Sequence, residues 1–166
     1  MVLRSVEQVG APELMWDLAR LQRSPTGTDN SFAAAAQLSP TALLPAVWCL
    51  DFPALTGPKV FRIAFSTDSA IQWTLYVAAA NPAIAALTPY KLGNTINAAT
   101  ITPKGAVIAA PAVVALLDGG YAAANSYTVI LQPGWLQAAG NKSVILATTA
   151  VAANCFASFW WAEYLT

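Results

Sequence analysis

The chain has 166 residues and no formal net charge, because eight basic residues balance eight acidic ones and histidine is absent. Charged residues make up 10 % of the sequence, against about 25 % in a typical soluble domain. This length predicts one core with at most an arm, and the charge balance argues against nucleic acid or anionic lipid as a partner. Sixteen charged side chains are too few to cover the surface of a monomer. We therefore expect other subunits or a membrane to cover part of the apolar surface.

The first 44 residues differ in composition from the rest and are predicted to form an N-terminal arm. In "APELMWDLARLQR", Leu14, Leu18 and Leu21 recur at helical spacing, which predicts one short amphipathic helix over residues 12–23. A helix of about three turns is unstable alone in water, so its apolar face, with Trp16, needs a partner. We expect the arm to dock on a neighbouring subunit. The alternative is that the helix caps the chain's own sandwich.

From residue 45 onward, short apolar runs alternate with proline, glycine, asparagine or aspartate, which is typical of an all-β domain. The runs predict about eight strands packed as an antiparallel β-sandwich or jelly roll over residues 45–166. "PKGAV" at 103–107 and "LDGGY" at 117–121 are interpreted as turns. Period-two alternation in two of the runs predicts the core residues, which are Phe61, Ile63, Phe65, Ile71, Trp73, Leu75 and Val77.

The stretch at 143–162 is uncharged and long enough to cross a bilayer as a helix. Its polar, β-branched and aromatic residues favour two strands joined near residues 150–153 instead, so no membrane partner is expected. The first residues lack an apolar run of secretory type. We therefore expect a protein that is made and assembled in a cytoplasm.

The sequence offers little catalytic chemistry. Without histidine, the commonest general base and metal ligand is missing. The acids are scattered singly, and "TGTDNS" at 26–31, the one weak calcium candidate, is better interpreted as a turn. Cys49 and Cys155 lie in separate apolar runs and are interpreted as buried thiols. We predict no catalytic residue, no metal site and no cofactor.

Six tryptophans are present, and two of them, Trp160 and Trp161, are adjacent. In a strand, one of two adjacent side chains points inward and the other outward. An outward tryptophan serves either as a platform for a sugar or as an anchor in a protein interface. The shortage of charge favours the interface.

The polar stretch "LTPYKLGNTINAAT" at 87–100 follows "TLYVAAANPAIAA", and the chain closes with "FASFWWAEY". Over about residues 45–166 this arrangement resembles the β-sandwich structural proteins of tailed bacteriophage virions, in which a "G-T-x-L-T-P-Y-N-x-N-R" stretch precedes a final strand ending in "W-Y-E". Trp161 and Glu163 resemble that ending. Lys91 and Gly93 depart from the pattern, and no arginine follows. The residues that correspond to the first motif are Leu87, Thr88, Pro89, Tyr90, Leu92 and Asn94.

The resemblance implies a non-enzymatic subunit of a bacteriophage virion, assembled in the host cytoplasm. We expect a capsid decoration or cementing protein that forms a homo-oligomer, most simply a trimer, and binds the major capsid protein or other virion subunits. The alternative is a carbohydrate- or receptor-binding module of a phage tail or fibre. The candidate interface residues are Leu14, Trp16, Leu18, Leu21, Tyr90, Lys91, Asn94 and Trp161.

Overall fold

The computed structural model describes residues 31–52, 59–79, 82–92, 98–130 and 142–163, with the backbone alone at 59–61. These residues form ten antiparallel strands in two five-stranded sheets, and no helix occurs among them. The predicted helix at 12–23 lies outside the described residues. The strands are β1 (Ser31–Leu38), β2 (Ala46–Phe52), β3 (Lys59–Thr67), β4 (Ile71–Ala79), β5 (Tyr90–Leu92), β6 (Thr102–Val107), β7 (Ala115–Ala122), β8 (Ser126–Ile130), β9 (Lys142–Thr148) and β10 (Cys155–Ala162).

The strands pair in a nested order. Sheet A has the order β5-β1-β10-β3-β8, and sheet B has the order β6-β2-β9-β4-β7. The first strand therefore pairs with the last, the second with the ninth, the third with the eighth and the fourth with the seventh. As a result, the connections 39–45, 68–70, 123–125 and 149–154 gather at one end of the sandwich, which we call the loop end.

Aromatic and branched side chains fill the space between the two sheets. Trp48 lies edge-on to Phe65, with ring centroids 6.0 Å apart, and Phe32 stacks on Trp161 at 5.8 Å. Of the predicted core residues, Val77 is half-buried and the side chain of Phe61 lies outside the described residues. The other predicted core residues are buried in this cluster, namely Ile63, Phe65, Ile71, Trp73 and Leu75.

The central part of sheet B is covered on both faces. A second buried cluster lies on its outer face, where Cys49 and Ile145 pack with Tyr76 from the three central strands. Segments that follow β4 and β6 cover this cluster with Ile84 and Ile108. β2 and β9 are therefore buried along nearly their whole length. Strands that are buried on both faces have continuous apolar sequences rather than alternating ones.

Three segments differ from the sequence predictions. Residues 31–38, which we assigned to the arm, form a strand between β5 and β10, because alanine-rich sequence fits the sheet but carries no readable period. "PKGAV" lies in β6, and "LDGGY" lies in β7. Gly120 is opposite Trp73, and a Cβ there would lie 2.8 Å from the indole, so the glycine allows close packing rather than a turn.

The uncharged stretch at 143–162 forms two strands, β9 and β10, joined through residues 149–154, as predicted. Within the described residues, no helix has the length and apolar character needed to cross a membrane.

Candidate functional site

Aromatic side chains stand on the outer face of sheet A, the face turned away from the core. Near the loop end, the strand register places Gln37, Phe156, Ser66 and Tyr127 in one row across four neighbouring strands. Phe156 is 41 % exposed and Tyr127 is 58 % exposed, while the small Ser66 lies between them. The row therefore forms a groove of about 390 Å³ with an aromatic wall on each side, which we call the sheet A groove.

A polar network closes the groove at the loop end. The Asp68 carboxylate accepts hydrogen bonds from the backbone N–H of Asn154 at 2.8 Å and from its side-chain amide at 2.7 Å. These hydrogen bonds hold the pKa of Asp68 below its ordinary value, so the carboxylate is ionised at neutral pH. Ser39 donates to the Asn154 side-chain oxygen at 2.9 Å, which ties three of the four loops together. Asn125, in the fourth loop, also lines the groove and has a φ of 54°.

An arginine lies beyond the other end of the groove. The Arg62 guanidinium donates to the Tyr127 hydroxyl at 2.7 Å and lies 5.1 Å above the Trp160 ring. To reach Tyr127, the arginine side chain extends over the neighbouring row of residues, which contains Ala64. Ala64 is only 2 % exposed although its side chain faces outward. Arg62 therefore fixes the tyrosine wall of the groove and occupies one side of the outward tryptophan.

A second exposed surface follows the edge strand β7 of sheet B. Val113, Val114, Leu116 and Leu117 are all exposed, and we call them the β7 patch. A register shift opposite Leu75 and Tyr76 makes a bulge at Leu117 in this strand. Bulges at a sheet edge hinder pairing with a further strand, so the patch offers apolar side chains rather than a regular backbone edge.

Two buried polar clusters hold the sandwich together. Glu163 accepts hydrogen bonds from the Trp161 indole at 2.9 Å, from the Thr100 backbone and hydroxyl at 2.8 and 2.5 Å, and from the Ile101 N–H at 3.0 Å. On the outer face of sheet B, Lys104 forms an ion pair with Asp51 at 2.9 Å. The first cluster joins the end of β10 to the segment before β6. The second cluster joins β2 to β6.

The buried cluster on the outer face of sheet B contains the Cys49 thiol, which is protonated at physiological pH. Ser143 donates a short hydrogen bond to Asp51, and Cys49 lies next to this pair. Burial raises the pKa of the Cys49 thiol to about 12, so the thiol is neutral at physiological pH. Cys155 is also buried, and both cysteines are free thiols, as the sequence predicted.

The beginning of the polar stretch at 87–100, with the residue before it, joins the edges of the two sheets. Leu87 N–H donates to the Pro103 carbonyl at 2.7 Å, and Ala86 forms an isolated bridge with Lys104. The chain then enters β5, which pairs with β1. This segment therefore binds to β6 of sheet B and continues into an edge strand of sheet A.

The predicted interface residues fall in different places. Tyr90 is 66 % exposed on β5, and Lys91 beside it is also exposed. Trp161 is fully buried, and its neighbour Trp160 is the outward residue, because the strand register turns residue 161 toward Phe32 in the core. The predicted residues that lie outside the described part of the chain are Leu14, Trp16, Leu18, Leu21 and Asn94.

Sequence reasoning missed the two walls of the sheet A groove and the β7 patch. Alternation within "SYTVI" and "CFASFW" does place Tyr127 and Phe156 on the face opposite the core. Nothing in the sequence shows that these two residues share a row, because β8 and β10 are brought together by β3. The β7 patch was missed because its strand contains two glycines and was interpreted as a turn.

In the part of the chain that the structure describes, no group of three or more acidic or cysteine side chains could hold a metal ion. Comparison with known proteins found no match to a protein family, to a curated protein or to a solved structure.

Proposed function

We propose that the chain is a non-enzymatic structural subunit of a bacteriophage virion, a capsid decoration or cementing protein that forms oligomers and binds the capsid lattice. The observation that carries this proposal is the β7 patch, where four large apolar side chains are between 39 % and 67 % exposed. Several exposed apolar side chains in one edge segment are a feature of protein interfaces. Because charged residues make up only 10 % of the chain, they leave apolar surface exposed, and association with other subunits would cover it.

The strand order supports the same proposal. Eight strands, β1 to β4 and β7 to β10, have the nested pairing of a jelly roll, with β5 and β6 added at one side. Viral capsid proteins use this architecture, and so do lectins and cupins. The fold is therefore compatible with a virion subunit, while the function itself rests on the exposed surfaces.

Contacts through the β7 patch involve side chains. Leu116 is the most exposed of the four residues at 67 %, and it stands next to the bulge that hinders strand addition. The nearest charged residue in the strand is Asp118, which accepts a hydrogen bond from the Gly119 N–H at 2.8 Å. A partner that covers Leu116 and Leu117 buries apolar area beside this carboxylate. Copies of the same chain, as a trimer, and the major capsid protein are the proposed partners.

Light scattering of the purified full chain tests the association. The wild type is expected to form a defined oligomer at micromolar concentration, and Leu116→Glu is expected to shift it toward monomer because a carboxylate would have to be buried. Gln72→Glu is the matched control, since Gln72 is exposed on the neighbouring strand β4 and lies outside the patch. A wild type that stays monomeric, or a Leu116→Glu oligomer as stable as the wild type, would refute the role of the patch.

Mass spectrometry of purified particles tests the location. The phage that encodes the chain is expected to carry it in many copies per capsid, and mild dissociation should release it without opening the shell. Absence of the chain from purified particles would refute the virion assignment independently of the oligomer measurement.

A further inference from the structure

The sheet A groove has the width of a site that holds one ring between two aromatic side chains. Phe156 and Tyr127 stand on strands separated by β3, so their backbones are about 10 Å apart, two strand spacings. Among the described residues, the Ser66 side chain alone stands between them on this row. The gap is wide enough for one saturated ring lying between two aromatic side chains, and the groove opens to solvent.

Polar side chains line the gap. In the part of the chain described, the side-chain amides of Gln37 and Asn125 form no hydrogen bond, although both line the groove. The Asp68 carboxylate at the loop end already accepts from Asn154 and is held in place by it. Oδ1 of Asp68 accepts from the Asn154 N–H and from the Ser69 hydroxyl, whereas Oδ2 accepts only from the Asn154 amide among the described residues, so Oδ2 can accept another hydrogen bond from a ligand hydroxyl.

The groove is preorganised on both sides. Arg62 holds the Tyr127 hydroxyl, and the hydrogen bonds of Asp68 to Asn154 fix the loop that leads into β10 and Phe156. A rigid site loses less entropy when a ligand binds than a site that must be ordered. The Asp68 carboxylate lines the groove at one end, and the Arg62 guanidinium lies beyond the other end.

We propose that the sheet A groove binds one pyranose ring of a neutral oligosaccharide, with the apolar ring faces against Phe156 and Tyr127 and the hydroxyl groups toward Asp68, Gln37 and Asn125. A sugar ring is the chemical class that combines apolar C–H faces with a rim of hydroxyl groups. An apolar peptide side chain would form no hydrogen bond with the amides of Gln37 and Asn125 or with the Asp68 carboxylate. This inference does not rest on the proposed function, since the groove lies on the other sheet from the β7 patch.

A microarray of neutral oligosaccharides, including α-linked and β-linked glucose oligomers and N-acetylglucosamine oligomers, tests the proposal with the full chain. At least one probe is expected to bind, with a Kd of about 1 mM or tighter by calorimetry. Tyr127→Ala and Phe156→Ala are each expected to weaken that binding by about tenfold or more, because each removes one wall. Tyr121→Ala is the matched control, since this tyrosine is 65 % exposed on sheet B.

Two results would overturn the proposal. One is a wild type that binds no neutral oligosaccharide on the array. The other is binding that both wall variants retain at wild-type strength while their thermal midpoints stay unchanged. Light scattering of the same variants separates this proposal from the assembly proposal, because Tyr127→Ala should keep the oligomer and Leu116→Glu should keep the sugar affinity.

Discussion

Replacing Glu163 by glutamine tests whether this buried carboxylate holds the segment before β6 onto the last strand. One carboxylate oxygen accepts from the backbone N–H and hydroxyl of Thr100, and the other accepts from the Ile101 N–H and the Trp161 indole. A glutamine amide keeps one acceptor oxygen but turns an NH₂ group toward two of these donors. Two hydrogen bonds to a charged acceptor are lost, at about 1.5 kcal/mol or more each, so Glu163→Gln should lower the free energy of unfolding by about 3 kcal/mol.

Urea unfolding followed by tryptophan fluorescence measures the loss. For a domain of this size, about 3 kcal/mol corresponds to a fall of roughly 6 to 12 °C in the thermal midpoint. Asp118→Asn is the control, because that exposed carboxylate accepts a backbone hydrogen bond from Gly119, and the change should stay within about 0.5 kcal/mol. If Glu163→Gln costs no more than this control, the hydrogen bonds of Glu163 do not stabilise the sandwich.

Three further predictions concern other parts of the sandwich. Gly120→Ala should destabilise the protein by about 1 to 3 kcal/mol in urea unfolding, because its Cβ would lie 2.8 Å from the Trp73 ring. Gly119→Ala is the control and should be tolerated, because its Cβ would meet its nearest atom at 3.4 Å. Equal losses of stability in the two variants would contradict the packing argument. Asp68 has a lowered pKa in the folded state, so its ionised form stabilises the fold above the unfolded pKa of about 3.9, and this stabilisation is lost as the pH falls. Asp68→Asn should therefore have a lower thermal midpoint than the wild type at neutral pH. In acid the difference between the two thermal midpoints should vanish. Cys49, with a pKa raised to about 12 by burial, should resist alkylation at neutral pH until the protein is unfolded in urea, and rapid labelling of native protein at Cys49 would refute its burial.

Local pattern in the sequence was sufficient for the all-β class and for most of the strands. Alternation placed Ile63, Phe65, Trp73 and Leu75 on faces that are buried, and the turn residues separated β9 from β10. These features depend on neighbours along the chain, because successive side chains in a strand point to opposite faces. Strands rich in alanine or glycine, such as β1 and β7, escaped this reasoning because small residues carry almost no pattern.

Pairing across the chain was decided only by the tertiary structure. The sequence shows that one of Trp160 and Trp161 points outward, but the register of β10 against β1 and β3 determines that it is Trp160. The groove depends on Phe156 and Tyr127 lying on either side of Ser66, and the buried polar cluster of Glu163 depends on its contact with Thr100, which is 63 residues away. Such contacts depend on how the sheets close around one core, so no local property of either residue reveals them.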